Sequence, residues 1–134
     1  MIVSPSLPSR PRATLPRADR LSKDNEYKAV YAARMKKGQG PLIVYSRPNG
    51  LGRYRLGLSV ARRIGSAPSR NRTKRLIREA FRLSRCDWPV GPGYDLVVSV
   101  REAHELTLDE HRRILDELAA SLHRDWMKRE RRNA

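Results

Sequence analysis

Three segments of the chain repeat apolar residues at helical spacing, and two or three alternate them or run them together as strands do. Tyr27, Val30 and Tyr31 follow the i, i+3, i+4 pattern of one helix face, with Ser22 or Asp24 available as the cap and Gly38 and Gly40 as the stop. Residues 42–46 then read as a strand closed by the turn signal Pro48-Asn49-Gly50. A second strand is expected over residues 53–62, where Leu56, Leu58 and Val60 alternate with Gly57, Ser59 and Ala61. One face of that strand is apolar and the other unusually small, which allows close approach either by a packed helix or by an RNA backbone.

The break at residues 64–68 leads through Pro68 and Ser69 into a long helix that ends near Arg85. Advancing 100° per residue, Thr73, Leu76, Ile77 and Ala80 share one arc, while Asn71, Lys74, Arg75, Arg78, Arg82 and Arg85 lie opposite. Residues 96–100 are almost continuously apolar, as in a strand covered on both faces. Thr107-Leu-Asp-Glu110 is a capping box opening a last helix with Ile114, Leu115, Leu118 and Leu122 on its inner stripe. The order of elements predicts one α+β domain over residues 18–126 without internal repeats. Residues 1–17, rich in proline and arginine, read as a disordered basic arm, and residues 127–134 as a frayed basic tail.

Charge changes the picture from fold to partner. Lys and Arg number 29 against 14 Asp and Glu, a net charge of +15 over 134 residues, which calls for a polyanion. No uninterrupted apolar run exceeds five residues, so no membrane partner is expected. The prolines of the arm prevent the amphipathic helix of an organelle transit peptide, and no secretory apolar core is present, so a cytoplasmic location is expected. Cys86 is single and is read as a buried small hydrophobe. His104, His111 and His123 are far apart in sequence and lack zinc-site spacing. From Arg70 to Arg85 seven bases accompany one acid, Glu79, whereas a merely solvated helix face usually mixes its signs. Phosphate binding by that face is the favoured reading, with arginine forks and the Asn71 amide as the contacting groups.

Residues 56–82 also resemble a known signature. They combine the small-residue strand, the turn Ile64-Gly65-Ser66-Ala67 and the helix opening Arg70-Asn71-Arg72, in the order found in the bacterial ribonuclease P protein family. The resemblance extends over about residues 16–125, although Pro68 and Ser66 replace the family's more frequent aliphatic residue and Asn. It implies an α-β sandwich like the second domain of a small-subunit ribosomal protein, with a left-handed βαβ crossover. General chain topology would instead favour the right-handed form.

The resemblance further implies a subunit of an RNA-based endonuclease that removes the 5′ leader of precursor tRNA. It assigns Arg62, Arg63, Arg70, Asn71, Arg72, Lys74, Arg75 and Arg78 to the catalytic RNA, and Arg20, Tyr27, Tyr31, Tyr45 and Ser59 to a cleft for the single-stranded leader. By spacing alone the tyrosines would be core residues. No clustered carboxylates suggest a two-metal site, so no catalytic residue is expected on this chain, its metal sites are left unknown, and Mg2+ is expected to bind mainly through the RNA. The rival reading is a ribosomal-type RNA-binding protein without enzymatic function.

Overall fold

A computed structural model describes residues 15–89 and 91–133. The expected disordered arm lies outside the described residues, apart from its last three. Of these, Leu15 is buried in the main core and Arg17 opens a short 3-10 turn to Asp19, so packed chain begins slightly earlier than expected. The elements in order are α1 (Asp24–Ala32), β1 (Met35–Gln39), β2 (Leu42–Pro48), β3 (Arg55–Val60), α2 (Ala67–Ser84), β4 (Tyr94–Val100) and α3 (Leu108–Asn133).

The strands form one sheet in the order β1-β2-β4-β3, antiparallel except for the parallel β3–β4 pair. Alternation along the strands sends Leu42, Val44, Leu56, Leu96, Val98 and Val100 to one side, where α2 and α3 add Ile77, Phe81, Leu115 and Leu122. On the other side Leu21, Val30 and Val97 form a smaller cluster under α1, with Tyr27 and Tyr45 against it. Strand β4 is therefore covered on both faces as its composition predicted. The fold is the mixed α+β architecture expected.

Local chemistry sets the boundaries, and several differ from the sequence reading. Glu26 accepts the backbone N–H groups of Ser22 and Lys23, at 2.9 and 3.1 Å, and so starts α1 after Lys23 rather than after Ser22 or Asp24. The helix stops six residues before Gly38, because Arg34 takes a left-handed φ of 57°. Residues 35–39 then form β1, a strand not anticipated from the sequence. Gly40, at φ 58°, supplies the turn of the β1–β2 hairpin. Strand β3 is shorter than expected, since residues 62–64 close into a 3-10 turn. The capping box of α3 forms in both directions, Thr107 N–H to Glu110 at 2.8 Å and Glu110 N–H to Thr107 at 3.1 Å.

Helix α3 does not fray at Lys128 but continues to Asn133. The Trp126 indole N–H donates to Ser46 on β2 at 2.9 Å, and Lys37 on β1 pairs with Asp125 at 3.2 Å, so the sheet holds this last segment. Two other expectations fail locally. Cys86 is exposed, because it sits in the turn that leaves α2 and not on its inner face. His104 and His111, seven residues apart, meet with their Nε2 atoms 3.0 Å apart as the chain folds back into α3.

Candidate nucleic-acid interface

Ser66 caps α2 by accepting the Ser69 N–H, and Pro68 occupies the first turn, where a missing N–H costs nothing. The helix then buries Ile77, Ala80, Phe81 and Ser84 and turns its cations outward. Arg62, Arg63, Asn71, Arg72 and Arg75 are exposed, while Arg70, Lys74 and Arg78 are half-buried. Among the described residues none of these cations has a carboxylate partner. Arg70 reaches back to the carbonyls of Arg62 and Gly65, at 3.2 and 2.5 Å, and so fixes the loop that presents Arg62 and Arg63.

Two cations placed on this ridge by helical spacing are engaged elsewhere. Arg82 pairs with Glu79 at 2.6 Å, and Arg85 pairs with Asp19 at 2.9 Å while donating to the Tyr54 carbonyl. The spacing gave their direction correctly but could not reveal Asp19, sixty-six residues upstream of Arg85.

Lys74 and Arg78, one turn apart, lean toward α1. With Arg20, Tyr27, Leu15, Leu21, Leu56 and Leu58 they line a half-open cleft of about 220 Å³. Three cations converge there over an apolar floor, with no acid among the lining residues. Burial lowers the proton affinity of the Arg78 guanidinium, and repulsion from Arg20 lowers it further. An anion entering the cleft offsets both effects by favouring the charged guanidinium.

The tyrosines divide into two roles. The Tyr27 hydroxyl accepts the Leu58 N–H at 3.1 Å and donates to the Leu58 carbonyl at 3.4 Å, and its ring lies on Gly57. A helix side chain therefore occupies the small face of β3 at Gly57; Ser59 lies farther along that face, half-buried. Tyr31 is 38% exposed and meets Tyr45 edge to face, with ring centroids 4.8 Å apart. Lys36 of β1 sits over the Tyr45 ring at 5.5 Å. Lys36 was missed by the sequence reading, because the helix was carried through the residues that form β1.

The acidic side chains near these surfaces serve the fold. Asp95 takes two bonds from Arg55 at 2.8 Å and one from Asn49 at 2.9 Å, Asp19 binds Arg53 and Arg85, and Glu26 caps α1 while facing Arg55. Among the described residues no three His, Cys, Asp or Glu side chains gather as a metal site would require.

A basic helix and an aromatic cleft joined by one cationic pocket suit RNA, and comparison with known proteins identifies which RNA-binding protein has this form. The family model described as Ribonuclease P matches residues 15–124, most of the chain. The chain belongs to the ribonuclease P protein family. The ribonuclease P protein component of Photobacterium profundum is 38% identical over 100 residues, covering 74% of this chain and 83% of the relative. That of Clostridium kluyveri is 40% identical over 84 residues, covering 63% and 75%. The solved ribonuclease P protein of Thermotoga maritima superposes with a TM-score of 0.68 at 28% identity, covering 76% of this chain and 96% of that one. A Staphylococcus aureus ribonuclease P protein gives 0.66 at 27% identity, covering 76% and 93%. Family membership decides against the ribosomal rival.

Proposed function

We propose that this ribonuclease P protein docks on a large catalytic RNA through Arg62, Arg63, Asn71, Arg72 and Arg75, with Arg70 holding the loop, and receives the 5′ leader of precursor tRNA in the cleft beside α1. The observation that carries this reading is the pocket where the two surfaces meet. Arg20, Lys74 and Arg78 converge beside Tyr27 with no acid among the residues that line it, so a phosphate there touches the ridge and the cleft together. Tyr31 and Tyr45 offer ring faces and edges to bases without selecting among them, which suits leaders of varied sequence. Ser59 extends the same sheet face as a hydroxyl donor and acceptor.

Hydrolysis of the phosphodiester is assigned to the RNA. The carboxylates near the interface are committed to arginines and to a helix start, so the side chains here do not fit a Mg2+ cage, and the Mg2+ that serves this reaction belongs with the RNA. The chain binds, orients the leader and offsets phosphate repulsion, and no side chain of its own takes part in bond breaking. A cytoplasmic location follows from this role; among the described residues no helix is long and apolar enough to cross a membrane. The test is to purify the tagged full chain from cells and sequence the RNA that accompanies it. One large structured RNA, competent to cleave precursor tRNA when recombined with the protein, is the expected result. Ribosomal RNA alone would overturn the proposal.

A further inference from the structure

The family match ends at Arg124, and α3 continues for more than two further turns, to Asn133. Arg124, Lys128, Arg131 and Arg132 follow the i, i+4, i+7, i+8 spacing, so they line one face of this extension, and all four are exposed. Among the described residues none of the four has an acidic partner. Of the acids of the segment, Asp125 pairs with Lys37, and Glu130 lies on the other side of the helix, lining a small pocket with Tyr94 and Trp126. Complementing the helix dipole accounts for basic residues in the last turn only. It does not account for a stripe that begins at Arg124, about 12 Å upstream of Arg132 at the helical rise.

The sheet register locates this stripe relative to α2. Trp126 bonds to Ser46, and the pocket beside it includes Pro48 and Tyr94, which pair at one end of the β2–β4 ladder. Val60 pairs with Val100 at the opposite end, and the loop carrying Arg62 and Arg63 and the start of α2 follow Val60 directly. The loop carrying Arg62 and Arg63 therefore lies at the opposite end of the ladder from the Pro48–Tyr94 pair, roughly 20 Å away along seven-residue strands. The extension is firmly held, since Trp126 is anchored to the sheet and Arg129 lies over its ring at 5.0 Å.

We infer that the outer face of the α3 extension is a second RNA-binding surface, which grips the phosphate backbone of an RNA segment separate from the one held by α2. The inference rests on the RNA-binding reading above. Its recognition is by charge and shape, with no base selection, and four aligned cations about 12 Å in extent fit the backbone of a duplex.

The probe is a 20-base-pair RNA duplex of mixed sequence, titrated by fluorescence anisotropy against the full chain at several salt concentrations. Changing Lys128, Arg131 and Arg132 together to Gln keeps good helix formers while removing three charges. The triple variant is expected to bind at least tenfold more weakly at low salt, with the slope of log affinity against log salt flattened by about 2. A variant that keeps the charge, Arg131→Lys with Arg132→Lys and Lys128 unchanged, should keep both at their native values. Unchanged affinity and slope, with helicity preserved by circular dichroism, would overturn the inference and indicate a face for a protein partner or for solvent alone. A cleavage reagent tethered at a cysteine replacing Lys128, in a Cys86→Ser background, should cut the copurified RNA at sites different from a reagent at position 71. Failure to cut from position 128 while position 71 cuts would sink this inference and leave the proposed function standing.

Discussion

At Gly57 an added methyl would stand 2.9 Å from the Tyr27 ring, closer than packed carbons come, so the glycine sets how near α1 can lie to the sheet. Gly57→Ala should destabilise the fold by about 1–2 kcal/mol, the cost of overpacking less a small gain from restricting the unfolded chain. Urea unfolding measures it, and a neutral or stabilising result would show that the ring is free to move aside. The alternation of small and large residues in β3 was legible in the sequence, but whether a helix or RNA filled the small face was not. That depended on Tyr27, thirty residues away.

His111 is the second residue whose environment only the fold reveals. Its Nδ1 donates to the Thr107 carbonyl at 2.9 Å, and its buried Nε2 lies 3.0 Å from the Nε2 of His104. Burial holds its pKa below the usual 6.5; the bond to Thr107 opposes this and His104 reinforces it. A depressed pKa in the folded state means that the unfolded chain binds more protons, so stability is full above about pH 6.5 and declines as pH falls through the folded value. Urea midpoints measured between pH 7.5 and 4.5 should fall more steeply in the native protein than in His111→Gln. Parallel profiles would contradict this.

Among the elements, α2 was the most legible and β1 the least. Helix α2 shows its period and inner face in sequence, and the structure agrees at Ile77 and Ala80; its cap, Ser66, was not read from the sequence. Strand β1, Met-Lys-Lys-Gly-Gln, has a single apolar residue and two cations that read equally well as the end of a helix. It is a strand because β2 supplies its hydrogen bonds and α3 receives Lys37, facts with no local signature. The function of α2 gives its own test. Replacing Lys74, Arg75 and Arg78 with Ala removes three unpaired cations without touching the buried face, so the salt slope for binding the large RNA should flatten by up to about 3. An unchanged slope would mean that the face is only solvated.

For the molecule as a whole, the excess charge and the order of elements already indicated an RNA-binding α+β domain, and the motif in residues 56–82 named its family. What remained hidden was how surfaces distant in sequence join: Arg20 beside Arg78, and Tyr45 against Tyr31. The central claim is that this joined surface holds the leader, and Tyr31 is its most exposed aromatic. In the reconstituted complex, Tyr31→Ala should weaken precursor tRNA binding about tenfold, within the roughly 1–3 kcal/mol of a base stacked on an aromatic ring. Binding of mature tRNA, which lacks the leader, should stay unchanged. An equal loss for both, or none for either, would contradict the account.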